Sequence, residues 1–501
     1  MISNKRLSRR RLLVLSGASM AGVALAACGA TATPAPAATT APTSAAPAAT
    51  AAPTSAAPAA TEAATSAAPT AATQAETPTV APTVAPTAAP ASKGPVTLQY
   101  FYETGGKPAD VAYMDKFFAK YTEANPNVKI EQIVTPSGVT SDQKLETMVA
   151  GGTPPDIVYS GATVTMAARG VYLDVRPLLE KSGKSLDEFH PLAVQIYTIK
   201  QGSFVWGLPS QLSTHFLVVN KTLFGKAGVT VPPTDWADAS WTWDAYSAAA
   251  DKLTVRSGDN VTQWGSFPLD GHLEYCGPYM FGGKWYEGNK CLIDDPKSYK
   301  CFQFDHDSIY KSKTAPTPAQ SQALEGGFLT GKVAMQVDGP WSIVTYTTIK
   351  DFEWTLAAIP YAQELGVKAS RLNASFCNCC AIASKTNVDA VWNLMLWMYF
   401  DDTNYPDWSW YGTGRLPARL AGQAKWLEYA KGQYPGVAWE VYQNAYDYAS
   451  PDWNAKQANA SKLADIVTAG MLDPVAQDPN ANIPQLAATL KTQIEPLLQE
   501  V

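Results

Sequence analysis

Val96-Thr-Leu-Gln-Tyr-Phe-Tyr102 alternates and is rich in β-formers, so it predicts a strand. Val111 to Ala124 follows, with Met114, Phe117, Phe118 and Tyr121 at the i, i+3, i+4, i+7 spacing of an amphipathic helix. Asn125-Pro126-Asn127 stops it. Val128 to Val134 predicts a second strand, and Asp142 to Ala150 a second helix closed by Gly151-Gly152. Pro155-Asp-Ile-Val-Tyr159 predicts a short buried strand leading into the small loop Ser160-Gly161-Ala162. This β-α-β-α-β order implies the α/β class, with a largely parallel sheet covered on both faces. Ligands of such sheets sit outside the carboxyl ends of the strands. Those ends are Tyr102 to Gly106 and Ser160 to Thr163.

Upstream of this unit the composition changes. Residues 29–94 are dominated by Ala, Pro and Thr, and Ala41 to Thr50 recurs at Ala52 to Thr61. Such a segment has almost nothing to bury and is expected to stay disordered. Its prolines favour extended polyproline II, which would reach on the order of 150 to 200 Å if taut. Its Thr and Ser are open to O-glycosylation, which the residues alone do not decide. Residues 1–28 read as a targeting segment. Lys5, Arg6, Arg9, Arg10 and Arg11 form a basic head before the apolar stretch Leu12 to Ala27, which is short for a membrane span. Ser8-Arg-Arg-Arg-Leu-Leu13 resembles a twin-arginine export signal, with an ordinary Sec signal as the alternative. Leu25-Ala-Ala-Cys28-Gly29 resembles the bacterial lipobox, which implies a diacylglyceryl group on Cys28 and attachment to the outer face of the cell membrane.

Cleavage there removes five of the 38 basic residues and none of the 44 acidic ones, leaving 33 against 44 and a formal charge of −11. That balance argues against nucleic acid and anionic lipid as partners. The remaining chain, Pro95 to Val501, is too long for one core, so two domains are expected. All fifteen tryptophans lie from Trp206 to Trp453, which suits a grip on flat, half-apolar ligands, although most are expected to pack the core.

A set of short pieces runs through this region in order. They are Phe117-Phe-Ala-Lys-Tyr-Thr-Glu-Ala-Asn-Pro-Asn-Val128, Gly151-Gly-Thr-Pro-Pro-Asp-Ile-Val158, Gly207-Leu-Pro-Ser-Gln211 and Val218-Val-Asn-Lys-Thr-Leu-Phe224. Trp241-Thr-Trp-Asp-Ala-Tyr246, Phe328 to Trp341 and Ala381-Ile-Ala-Ser-Lys385 complete it. No single piece is specific, but the ordered set resembles the extracellular solute-binding proteins that serve sugar ABC importers, the maltose-binding-protein-like group. The resemblance implies a two-lobed periplasmic-binding-protein-like fold of class II type, with discontinuous lobes, three hinge crossings and the ligand in the cleft between lobes. On that template residues 95–214 and 361–402 form the N-terminal lobe, and residues 215–360 and 403–501 the C-terminal lobe. Gly207 to Thr214 would lead into the first crossing and Ala357 to Pro360 would hold the second.

A sugar offers apolar C–H faces to aromatic rings and a rim of hydroxyls to polar groups. Trp341 is the leading candidate, because Asp338-Gly339-Pro340-Trp341 follows the predicted strand Val333 to Val337 and glycine admits close backbone approach. In similar proteins this tryptophan stacks on sugar. The alternative for Trp341 is a packed loop aromatic, and for Asp338 a carboxylate bound to backbone amides. Glu103, Thr104, Ser160 and Gly161 stand at strand ends, with a solvated loop as the alternative. Gln211 and Thr214 lie near the first crossing, where relatives place polar sugar contacts. Gln211 replaces an aspartate more usual there, which leaves the preferred sugar open. Trp264, Trp285 and Tyr411 are candidate platforms. Arg415, in Gly414-Arg-Leu-Pro-Ala418, falls where relatives pass from the last crossing to a ligand loop, with a structural salt bridge as the alternative.

Six cysteines remain beyond Cys28, in two groups of three: Cys276, Cys291, Cys301, and Cys377, Cys379, Cys380. The exported setting permits disulfides. Full pairing would need at least one bridge between the groups, and vicinal pairing of Cys379 with Cys380 is strained. Metal binding by the second group is the alternative, but no Cys-x-x-Cys pair or nearby histidine completes four ligands. His190, His215, His272 and His306 are scattered, and no nucleophile elbow or phosphate-binding glycine loop is present. The expectation is therefore a monomeric, lipid-anchored binder that captures a sugar or oligosaccharide and delivers it to ABC permease subunits, without cofactor, metal or catalysis. An anchored glycoside hydrolase, needing two carboxylates about 5 to 9.5 Å apart, and a polysaccharide-binding adhesin are the alternatives.

Overall fold

The computed structural model describes residues 94–102, 108–135, 141–160, 164–199, 202–258, 260–324, 326–368, 370, 372–382, 385–451, 455 and 457–501. The targeting segment, Cys28 and nearly all of the Ala/Pro/Thr linker lie outside the described residues. No described helix is long and apolar enough to cross a membrane.

The opening unit forms as its pattern predicts. Strand β1 (Val96–Tyr102), helix α1 (Pro108–Ala124), strand β2 (Val128–Val134), helix α2 (Ser141–Ala150) and strand β3 (Ile157–Ser160) follow one another. β1 runs parallel to β2 from Val96 opposite Val128, and parallel to β3 from Tyr100 opposite Ile157. Met114, Phe117, Phe118 and Tyr121 are buried, so α1 presses its apolar stripe on the sheet as expected.

The sheet departs from the parallel expectation at its other side. Strands β4 (Leu208–Ser213), β5 (Phe216–Asn220), β6 (Met335–Asp338), β7 (Trp354–Ala357), β8 (Leu372–Ala381) and β9 (Ala449–Pro451) come later in the chain. β8 lies antiparallel to β3, pairs antiparallel with β4, and meets β9 in parallel, so the sheet is mixed. β5 is the centre of a second sheet, antiparallel to both β6 and β7. The chain passes from the first sheet to the second at Thr214-His215, and returns between Ala357 and Leu372.

A third passage follows helix α3 (Val388–Tyr399). Residues Trp408–Thr413 form a π-helical turn, a rare element often found at functional sites. Trp408 packs edge-on against Tyr159 and donates its indole N–H to Met114 Sδ at 3.1 Å, so the turn is seated on the first sheet's helix α1. Three residues past the turn, Leu416 O accepts from Leu212 N at 2.8 Å, and Tyr442 OH donates to Leu212 O at 2.5 Å. Buried Arg419 fixes the exit by binding Glu188 at 3.0 Å, Asp402 at 2.6 Å and Phe400 O at 3.1 Å. Trp410, Trp426, Trp439 and Trp354 then pack edge-to-face beside the second sheet. Such contacts are worth about 0.5–1.5 kcal/mol each beyond the area they bury.

Candidate functional site

The second sheet supplies the first part of the site. β6 ends at Asp338, whose Oδ1 accepts from Gly339 N at 2.7 Å and whose Oδ2 accepts from the Tyr346 hydroxyl. Asp338 is 4 % exposed, so it braces the loop from within, as its structural alternative anticipated. Burial and the Asp338 carboxylate push the Tyr346 hydroxyl well above its ordinary pKa, which keeps it a donor. The bracing places Trp341 directly over Gly339: a Cβ at that glycine would stand 2.2 to 2.6 Å from the indole ring. Among the described tryptophans only Trp341 and Trp397 are half-buried, and Trp397 packs on Phe117 and Tyr121 of α1. Trp341 therefore keeps open surface at the end of a strand.

Two histidines complete this part, and their separation in the chain hides it. His215 sits at the first passage between sheets, and His272 opens helix α4 (His272–Met280). The His215 and His272 rings are 5.0 Å apart at 81°, His215 meets Trp341 at 5.4 Å and 77°, and His272 lies nearly parallel to Trp341 at 5.8 Å and 14°. Burial lowers the pKa of His215 well below the ordinary value, and His272 adds to it. Burial also lowers His272, partly opposed by the carboxylates of Asp338 and Asp270. Both imidazoles are thus held neutral near pH 7, the form in which an imidazole has one donor and one acceptor.

The second part is a polar chain beneath the passages. The Tyr159 hydroxyl donates to Gln211 Oε1 at 2.5 Å, and Gln211 Nε2 donates to Thr413 Oγ1 at 2.6 Å. Thr413 Oγ1 donates on to Ser409 O at 3.0 Å, and Arg415 Nη1 reaches the Tyr159 hydroxyl at 3.5 Å. The helical turn Ile343–Tyr346, just after Trp341, packs on the π-turn and against Gly414, so the two parts adjoin.

The structure brings Gln211, Thr214, Asp338, Gly339, Trp341, Tyr411 and Arg415 into one region, with unequal roles. Gln211 is fully buried and Thr214 is 1 % exposed, so in this conformation both act inside the protein. Tyr411 is 45 % exposed beside Tyr429 and offers a ring to solvent. Trp264 and Trp285 correct the expectation of platforms. Trp264 is buried against the chain at Val333, and Trp285 is buried edge-on to Phe302, so neither has a free face to stack on a ligand. Glu103, Thr104 and Gly161 lie outside the described residues, as do the side chains of Ser160, Cys377, Cys379 and Cys380. Ser160 ends β3 opposite Asn378. Cys276, Cys291 and Cys301 are buried, and burial pushes the Cys291 thiol up to about 11 and Cys301 well above its ordinary value. Among the described residues no cluster of three or more His, Cys, Asp or Glu could hold a metal ion.

Comparison with known proteins bears on this arrangement. The sequence profile of the bacterial extracellular solute-binding proteins matches residues 105–369. The chain belongs to that family. It is 25% identical over 263 residues to a binding protein of Brucella abortus (strain 2308), covering 50% of this chain and 59% of that one. It is 24% identical over 279 residues to the sn-glycerol-3-phosphate-binding periplasmic protein UgpB of Salmonella typhimurium, covering 52% of this chain and 60% of that one. The match thus spans about three fifths of these curated relatives. Among solved structures, an ABC substrate-binding protein of Listeria monocytogenes in complex with cycloalternan superposes with TM-score 0.67 at 20% identity, over 80% of this chain and 98% of that one. UgpB of Mycobacterium tuberculosis in complex with glycerophosphocholine superposes with TM-score 0.66 at 16% identity, over 81% and 98%. At these identities the superpositions establish the fold: two lobes of the periplasmic-binding type, α/β throughout. The family and these neighbours are binding proteins.

Proposed function

We propose that this chain is a lipid-anchored, extracytoplasmic receptor that captures a sugar or oligosaccharide between its lobes and delivers it to the permease subunits of an ABC importer. The observation that carries the reading is Trp341: a braced aromatic with open surface at a strand end, flanked by neutral polar rings. Aromatic faces for C–H surfaces beside hydroxyl-matching groups are what a neutral carbohydrate requires. The template's lobes are residues 95–214 with 361–402 and residues 215–360 with 403–501. The seating of residues 404–413 on α1 supports moving the third crossing to the π-turn. Trp341, Gly339, Tyr411 and Arg415 would face the ligand, with Glu103, Thr104, Ser160 and Gly161 as further candidate contacts. Asp338, Gln211 and Thr214 would hold that surface in place.

Cys28, reached through a twin-arginine or Sec signal, would tether a monomer to the membrane, and the Ala/Pro/Thr linker would act as its stalk. The tether raises the local concentration of receptor at its transporter. Binding alone accounts for such a role, with no cofactor, metal or bond cleavage. The test is a thermal-shift and calorimetric screen of the mature protein across mono- and oligosaccharides. A single-site ligand recovered intact is expected. Stabilisation by a peptide or polyol while no sugar binds would overturn the assignment, and slow turnover of a bound oligosaccharide would favour a hydrolase.

A further inference from the structure

The relatives named above carry two ligand chemistries in their names, a neutral cyclic oligosaccharide and phosphate esters of glycerol. We propose that His272, backed by buried His215, contacts the ligand beside Trp341, and that it selects an uncharged, hydroxyl-bearing ligand against a phosphate ester. The inference rests on the sugar-capture reading and sharpens it.

Three aromatic rings from three separate parts of the chain meet here: the first passage, the start of α4 and the loop after β6. His272 and Trp341 are both half-buried, so His272 continues the open surface of the indole, while His215, 4 % exposed, packs behind them. Among the described titratable groups, His272 faces His215, and Asp338 and Asp270 face His272. Asp338 itself is held by Tyr346 and Gly339. A phosphate dianion placed against His272 would meet two carboxylates and imidazoles kept neutral by burial, which offer too few donors to offset its desolvation. A sugar hydroxyl is donor and acceptor at once and matches a neutral imidazole.

The same geometry makes capture sensitive to acid. A ligand covering His272 removes more water from it and disfavours the charged form further, so proton uptake and ligand binding oppose each other. Affinity for the neutral ligand is then expected to fall about tenfold for each unit of pH once one histidine must give up a proton to bind.

The experiment measures binding to the full mature chain by calorimetry at pH 7.5 and pH 5.5. The probes are maltotriose, mannobiose and cycloalternan against sn-glycerol 3-phosphate and glycerophosphocholine. His272→Gln and His272→Phe are tested beside the parent, with the ligand-free melting temperature as the check on folding. The expected result is binding of a neutral oligosaccharide, none of the phosphate esters, a measurable loss of less than about tenfold at pH 5.5, and a weaker, flatter profile in both variants. Tighter binding of a phosphate ester than of every neutral oligosaccharide would overturn the inference while leaving solute capture intact. An unchanged affinity and pH profile in folded variants would also overturn it. If neither ligand class binds, the sugar-capture reading fails first and the inference falls with it.

Discussion

Gly339 shows how a single backbone position can decide a binding surface. Its backbone is extended, a conformation open to any residue, so its requirement is space: the Trp341 ring occupies the place of a Cβ. Gly339→Ala is expected to leave the melting temperature nearly unchanged, because half-buried Trp341 can swing outward, and to weaken ligand binding at least about tenfold, or roughly 1.4 kcal/mol. Gly265 is a contrast, since a Cβ there would stand 1.8 Å from the carbonyl oxygen of Ala250, inside the fold. Gly265→Ala is expected to lower stability by about 1–3 kcal/mol or more in denaturant titrations. His215 carries a pH prediction. Its folded pKa is depressed below the ordinary value near 6.5, so the unfolded chain binds the extra proton first. Stability is therefore complete above about pH 7 and falls as the pH drops below 6.5, with a slope of at most about 1.4 kcal/mol per unit for this group. His190 is shifted the same way by burial, so the measurement is the difference between parent and His215→Gln across pH 5 to 8. At this scale the sequence was only partly legible. Trp341 stands out because a strand, a glycine and a proline precede it in one short run. Trp264 and Trp285 misled, since local context does not tell a core ring from a platform. His215 and His272 were passed over because nothing in the chain between them signals that their rings meet.

Elements formed by nearby residues were read from periodicity, while those completed by distant ones were not. β1, α1, β2, α2 and β3 follow from alternation, an apolar stripe and Gly/Pro punctuation. β8 is different: its partners β3 and β4 lie far back in the chain, and its antiparallel run turns a parallel sheet into a mixed one. The π-turn Trp408–Thr413 has no sequence signature, yet it fixes Thr413 against Gln211 across the passages. This explains Gln211 better than a ligand contact does. A charged aspartate in its place could not donate to Thr413 as the Gln211 amide does. Thr413→Val is expected to leave the buried Gln211 amide without its acceptor and to cost about 1–3 kcal/mol of stability. Thr413→Ser should restore most of that loss, since it keeps the hydroxyl; failure of the serine variant would show that packing of the methyl group dominates.

For the whole molecule, function depends on how two sheets are joined. The first and second passages lie at Thr214-His215 and between β7 and β8, and the polar chain from Tyr159 to Ser409 runs beside them. Closure about a ligand would concentrate rotation in these few residues. Small-angle scattering of the mature protein is expected to show a smaller radius of gyration with bound ligand than without. The overall class was legible from the order of elements and the ordered motif set, because an α/β sheet and its connections follow from pattern. The seating of residues 404–413 on α1 was not, since it depends on side chains meeting across long stretches of chain. The central claim is that Trp341 holds a sugar in a single cleft. Titration calorimetry of the best-binding sugar against the parent and Trp341→Ala tests it most directly. The account predicts one site in the parent and an affinity at least about tenfold weaker in a folded variant. Equal affinity in the two proteins would contradict it.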